Sequence, residues 1–503
     1  MRRGWLGGRP GERAAARAGG RAGQHGDGPV EVVLLEEDAA ADHVTPRPVA
    51  SGSSARGRRS RARSALRRWG GVVVVLALAP TLSDAVADRR ERADLARYAD
   101  VPGVVASLRD PVVERWRMPV LDPVWAAAGV LVSSGTDGRD VVARDAATGE
   151  VRWSQPLPDG VVPPVRCPLE TGDPGDPPAL VCFAAAVVPS ESRTVPAVVA
   201  SRVAAVDAAD GTLRHVLTVR ALRGSVAVDG DVVLVELAEA GLVVTRHDLV
   251  RGEQVWRSEL PDVVPGPDGV GLHAAGGLVV VEARTTTVLA ADDGHEVGRW
   301  VPGTDPAGLW TARVVVRPGE GYGVWTSPAS GRWYGPDGSG GPELAGLPAD
   351  PAVHDASTPG VVLLRSPDDG SLRAVEASTG RRRWERPAPA RVLVRLAGRV
   401  VVTGGGRMEG LDTATGRTLW TVPLPDDRPD AGEVLTDGLR VAIQGPVDGR
   451  PGLTAYSLST GDRLWQVPVP GGASTVAVLG GRLTAVSPVR TSGDGRPELI
   501  VLG

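Results

Sequence analysis

An eleven-residue frame recurs along this 503-residue chain, and it restricts the fold more than any other feature. It reads Ala143-Arg-Asp-Ala-Ala-Thr-Gly-Glu-Val-Arg-Trp153 at its first appearance. It returns as Ala374-Val-Glu-Ala-Ser-Thr-Gly-Arg-Arg-Arg-Trp384, as Gly410-Leu-Asp-Thr-Ala-Thr-Gly-Arg-Thr-Leu-Trp420 and as Ala455-Tyr-Ser-Leu-Ser-Thr-Gly-Asp-Arg-Leu-Trp465. Worn copies carry Gly252 with Trp256, Gly211 with His215 in the tryptophan position, and Gly294 with Trp300 two places late.

The frame has the logic of a hairpin. An alternating strand ends in Asp or its equivalent, and glycine supplies the positive φ of the turn. The outgoing strand then carries Trp four residues after Gly, so the indole always falls on one face of that strand. There it can cover the turn of a neighbouring unit, a large contact repeated with one geometry.

Two further strand-like runs precede each copy, for example at 226–228 with 232–235 and at 392–394 with 400–402. Each unit therefore reads as four strands. The marker glycines 149, 211, 252, 294, 380, 416 and 461 are spaced by 62, 41, 42, 86, 36 and 45 residues. The gap of 86 has room for a degenerate unit around residues 322–338, and the gap of 62 holds an insertion rich in Gly, Pro and Asp. Four-stranded units of about 40–45 residues have the period of a propeller. Abundant Gly (66) and Pro (43) suit many short strands joined by turns.

Residues 113–116, Val-Glu-Arg-Trp, look like the last strand of a unit that nothing precedes. Strand-like runs come after Trp465 at 474–479, 482–486 and 498–502, and pairing the two ends in one blade would close a ring and hide its edges. Seven marked units, one degenerate unit and the closing blade count to nine. The expectation is eight, with one unit spurious, in a range of seven to nine.

The frame Ala-x-Asp-x-x-Thr-Gly-x-x-x-Trp resembles the tryptophan-docking motif of quinoprotein-type, or PQQ-repeat, β-propellers, over residues 112–503. That superfamily includes PQQ-dependent dehydrogenases and the scaffold lipoproteins of outer-membrane assembly. The resemblance implies an all-β propeller in which Gly149, Trp153, Gly252, Trp256, Gly380, Trp384, Gly416, Trp420, Gly461 and Trp465 fasten blades together.

The N-terminal part is of another kind. Residues 1–68 are Gly/Ala/Arg-rich, without periodicity, and hold 14 Arg against 7 acids. They read as a disordered, Arg-rich cytoplasmic tail. One apolar patch followed by acids, residues 30–38, would suit a short docking strand for a cytoplasmic partner. Seven Arg and no acid lie between 56 and 68, ahead of an apolar run at 69–87. That run reads as a single transmembrane helix, and the Arg cluster places the N-terminus inside. Ala85-Val86-Ala87 also fits a signal-peptide cleavage pattern, but the leader is far too long for an n-region. Both readings put residues 88–503 outside the cytoplasm. Residues 88–111 read as a charged stalk, ended as a helix by Pro102.

The inventory of reactive groups is thin. The resemblance to PQQ dehydrogenases implies adjacent cysteines against the quinone and Asp/Glu/Asn calcium ligands. This chain has no Asn, and its two cysteines, Cys167 and Cys182, are 15 apart. In an oxidising compartment they are expected to form a disulfide worth about 3 kcal/mol. The seven His show no ligand spacing, the 491–501 segment has too few carboxylates for a calcium cage, and 404–406 (Gly-Gly-Gly) lacks the helix of a dinucleotide loop. No lysine exists for a phosphate loop or a Schiff base. No catalytic residue, cofactor or metal is therefore expected. Beyond residue 68 acids outnumber Arg, which argues against nucleic acid as a partner.

The expected function is a membrane-tethered scaffold or binding module of the cell envelope. It would meet a protein or cell-wall polymer on a propeller face. A transmembrane sensor acting through a tail partner, and a quinoprotein-type oxidoreductase, are the alternatives.

Overall fold

The computed structural model describes residues 86–503 except 100, 121–123, 136–139, 157–160, 172–177, 189–197, 267–268, 302–311, 328, 350, 352, 425–433 and 488–496. They all belong to one compact unit, 80–503. The tail, the 30–38 patch and residues 69–85 of the expected membrane helix lie outside the described residues. Among those described, no helix is long and apolar enough to cross a membrane. The helix at 86–96 is short and carries charges throughout.

The strands form nine antiparallel sheets of four strands, one of them with a fifth strand added. Blade 1 is Trp125–Ala127, Val130–Ser134, Asp140–Asp145 and Val151–Pro156. Blades 2 to 8 come next at 161–220, 222–261, 271–300, 313–345, 347–389, 391–423 and 435–468. Within each, chain order is spatial order, and the first strands of blades 1 to 4 touch in succession, which puts the first strands at the axis and the fourth strands at the rim.

Blade 9 joins the chain ends. Val476–Leu479, Arg482–Ser487 and Glu498–Leu502 are completed by Glu114–Pro119, with Trp116 opposite Val501. The ring thus has nine blades, not eight. No counted unit is spurious. The degenerate unit is a full blade of Arg313–Arg317, Gly321–Trp325, Ser330–Tyr334 and Gly340–Ala345. It survives without its tryptophan because its interior is aromatic. Tyr322 and Trp325 are fully buried, and Trp325 donates its indole N–H to the Gly346 carbonyl at 2.7 Å.

The apolar residues that face each other between blades form a chain of clusters around the ring. One joins blade 3 to blade 4 through Val233, Val244, Trp256, Val279 and Leu289. Another joins blades 8 and 9 through Leu453, Trp465, Val476 and Ile500, and Val105, Leu108 and Val112 are buried in it. Alternating strands bury both faces this way because each sheet has a neighbour on either side.

The segment before the first blade also contributes. Val104 bridges Thr436 on the first strand of blade 8, and Val105 donates its N–H to the Thr436 carbonyl at 2.8 Å. Residues 104–113 then cross the underside of the ring from axis to rim. The underside is the face carrying the turns between first and second and between third and fourth strands. Val353–His354 adds in parallel to the inner strand of blade 7, giving the five-stranded sheet.

Candidate functional site

The sequence-marked residues come together at the blade interfaces. In each marked turn the glycine N–H donates to the carbonyl four residues back, as Gly416 does to Asp412 and Gly149 to Asp145, both at 2.8 Å. Where that residue is Asp, its carboxylate caps the turn; in blade 8 the Ser457 hydroxyl does so. Asp145 accepts from the N–H groups of Ala147 and Thr148, and Arg152 binds its other oxygen. These partners, Arg152 first, hold its carboxyl down at about 2.

The indole of the preceding blade lies on the glycine. A Cβ at Gly211 would stand 2.7 Å from Trp153, at Gly294 2.5 Å from Trp256, at Gly416 2.6 Å from Trp384 and at Gly461 2.8 Å from Trp420. Each indole N–H donates to the carbonyl three residues before that glycine: Trp153 to Ala208 (3.0 Å), Trp256 to Ala291 (2.9 Å), Trp384 to Thr413 (2.8 Å) and Trp420 to Leu458 (3.1 Å). Trp465 has no such turn ahead of it, because the third strand of blade 9, Glu498–Leu502, pairs with Glu114–Pro119 and no turn joins the two. It donates instead to Leu108, at 2.8 Å.

The worn copies differ in detail. His215 covers Gly252 as an indole would, with a Cβ there 2.8 Å from the imidazole. Pro342 of blade 5 takes the place over Gly380. Trp300 leaves the dock altogether. It packs edge-on against Tyr322 and Tyr334, 5.9 and 5.4 Å away, and donates to the Tyr334 hydroxyl. Trp116 covers Gly149, but its buried N–H finds no acceptor among the described residues.

Cys167 and Cys182 are joined by a disulfide between the first and second strands of blade 2, which flank the Gly/Pro/Asp-rich insertion. Among the described residues one carboxylate–histidine group, Asp292, Asp293 and His295, is exposed and is the blade 4 turn itself, with His295 bonded to Asp293. Its contacts are those of turn capping.

The face opposite the N-terminal segment carries a hollow. A pocket of about 590 Å³ opens there between blades 6 and 7. The turn between second and third strands of each blade forms its walls, Ser366 to Gly370 and Gly404 to Gly406. Gly405 and Gly406, at φ +60° and +71°, make the two-residue hairpin turn that only such residues take easily. Arg365, Arg391 and Arg407 line the pocket together with Leu347, Pro389 and Leu424. Mixed apolar and cationic walls are compatible with ligand binding. Nothing in the repeat frame marks these residues, since they lie in its variable turns.

The helix at 86–96 is held on the underside. Glu91 pairs with Arg440, and Asp88 pairs with Arg109 at 2.7 Å. Tyr98 packs on Gly438, in the turn between first and second strands of blade 8.

The PQQ-repeat family model described as outer membrane protein assembly factor BamB matches residues 199–390 and 311–496, together more than half the chain. No curated protein sequence matches it. Among solved structures, BamB from Moraxella catarrhalis is 15% identical with a TM-score of 0.39, over 78% of this chain and 99% of that one. The quinohemoprotein alcohol dehydrogenase ADHIIG from Pseudomonas putida HK5 is 13% identical with a TM-score of 0.38, over 78% and 76%. With its docking frame present in most blades and the family model spanning the larger part of it, this chain belongs to the PQQ-repeat propeller family of the outer membrane protein assembly factor BamB type.

Proposed function

We propose that the chain is a non-catalytic binding and scaffold module of the cell envelope, tethered to the membrane through residues 69–87 with its propeller outside the cytoplasm. Its partner is a protein or cell-wall polymer held on the face of the ring away from the tether. One observation carries this reading. The N-terminal helix is pinned to the underside through Glu91–Arg440 and Asp88–Arg109, while the Arg-lined pocket between blades 6 and 7 opens on the other face. A tether leaving from one face keeps the opposite face clear for a partner. The cysteine pairing in blade 2 suits an oxidising compartment.

The test is site-specific photocrosslinking in intact cells, with the probe at Pro367 on the upper face or at Arg97 on the underside. The reading requires a discrete adduct from Pro367 that is lost when Arg365 and Arg407 are changed to Glu. Adducts only from Arg97, insensitive to those changes, would overturn it. A chain cut before residue 86 should leave the membrane fraction; if it stays, the tether assignment fails.

A further inference from the structure

Blade 2 holds a cation that has no partner among the described residues. Arg202, on the third strand of the blade, makes no ion pair or hydrogen bond among the described residues, and its Nε is buried without an acceptor. It lines a crevice of about 220 Å³ between blades 1 and 2 whose other walls are almost wholly apolar, among them Trp153, Val165, Cys182, Val206 and Val216. Burying guanidinium surface against hydrocarbon without an acceptor is costly, so such groups are normally paired.

The repeat does not dictate a cation here. Arg202 stands nine positions before the turn glycine Gly211, and the matching positions in the other marked blades are Asp140, Val243, Thr285, Ser371, Arg407 and Gly452. Arg407 is paired with Glu409 at 3.3 Å, and Arg202 has no equivalent of that partner among the described residues. Next to Arg202 the chain also places small residues, Ala184 directly across the ladder and Ala204 two positions on, and these leave the space open. The cation thus stands in an apolar crevice where its neighbours are small.

We propose that this crevice binds a small aliphatic monocarboxylate, with the carboxylate on Arg202 and the tail against Val165, Val206 and Trp153. The chemistry comes from the walls. A guanidinium takes a carboxylate through two parallel N–H···O bonds, and apolar walls exclude a bare inorganic anion. An apolar cavity of about 150 Å³ accepts a benzene ring, so the volume here suits an acyl chain of about six to eight carbons. The Cys167–Cys182 disulfide fixes the two strands that carry Val165 and Cys182, which keeps that wall in place. This site is independent of the upper-face partner, and either assignment stands if the other fails.

Isothermal titration of the full chain with octanoate tests it, beside octanol (tail without charge) and inorganic phosphate (charge without tail). Octanoate should bind at one site, and octanol and phosphate should bind far more weakly. Arg202→Leu should weaken octanoate by about tenfold or more, the loss expected for one charged hydrogen-bonding partner. Its unliganded melting temperature should not fall, because no native contact of the guanidinium is lost. Ala204→Leu, which fills the crevice and keeps Arg202, should also abolish binding. The proposal is overturned if octanoate does not bind the parent chain at about 10 mM, if Arg202→Leu binds it equally, or if octanol binds as tightly as octanoate.

Discussion

The indole N–H of Trp465 donates to the carbonyl of Leu108, 357 residues earlier in the chain, at 2.8 Å. Every other indole that finds an acceptor across a docking interface uses a turn of the next blade. Blade 9 has no such turn, because its third and fourth strands are the two ends of the propeller. Leu108, fully buried, stands in for it. The segment that reads in the sequence as stalk thus also supplies the last fastener of the ring.

Truncations should separate these roles. A chain starting at residue 86 keeps Leu108 and should melt as the parent does. A chain starting at 111 loses Val105 and Leu108 from the blade 8/9 core and should unfold at clearly lower temperature or without cooperativity, read by circular dichroism. Trp465→Phe, which removes the hydrogen bond and keeps most of the ring, should cost about 1 kcal/mol. Equal melting of the two truncations would show that Leu108 closes nothing.

The docks inside the ring predict a larger effect. Trp384→Ala or Trp420→Ala removes a buried indole from an interface and should cost about 3–5 kcal/mol in chemical denaturation. Gly416→Ala approaches the same interface from the other side. It forces a side chain onto a residue at φ +72°, with the new Cβ 2.6 Å from Trp384. The two changes act on one contact, so the double variant should cost less than the sum of the singles. Strict additivity would mean that ring and glycine do not form one unit.

Much of this was legible in the chain because the docking unit is local. Asp, Gly and Trp within nine residues fix turn, strand and exposed face together, so one copy suffices to read the hairpin. Ring size was not legible: the expectation of eight took one of nine counted units as spurious, and the unit with the weakest marks is the blade at 313–345. That blade keeps its Asp337-Gly338 turn but puts Pro342 where the tryptophan stands elsewhere, and its stability comes from Tyr322 and Trp325 inside the sheet pair. Neither the Arg-lined pocket nor the crevice at Arg202 could be read either. Each depends on which side chains two blades leave short where they meet, and residues such as Ala184 and Ala204 look like any other strand alanines.

A buried carboxylate governs the same closure. Asp437 is fully buried and accepts from the N–H of Leu108 at 2.7 Å, from Leu439 and Arg440 N–H groups, and from the Arg440 guanidinium at 2.8 Å. Arg440 in turn reaches Glu91 on the helix. Asp437→Ala leaves a largely buried guanidinium and an amide short of acceptors and should cost about 3–5 kcal/mol. Glu91→Gln removes only a partly exposed partner. It should leave the melting temperature nearly unchanged while proteolysis near residue 97 becomes faster. If both variants behave alike, the helix and the closing segment are one cooperative element.

Acidification supplies the last test. Burial lowers the imidazole pKa of His247, with His215 adding repulsion against a weaker pull from Asp231, and burial likewise lowers that of His273 despite Glu282. A histidine whose folded pKa lies below its ordinary 6.5 resists protonation in the native state, whereas the unfolded chain protonates freely. Its contribution is therefore complete above about pH 6.5 and is lost as pH falls through the folded value. The turn carboxylates, held below their ordinary 3.8 as at Asp145 and Asp412, lose theirs only in a lower window. Glu236, raised by burial, works in the opposite sense and favours the fold as pH falls. Comparing the parent chain with a His247→Gln, His273→Gln variant cancels the carboxylates. The parent should lose melting temperature between pH 7 and pH 5, about the range over which unfolded histidine takes its proton, and the variant should lose much less. Parallel curves would mean that neither imidazole is buried enough to oppose its own protonation.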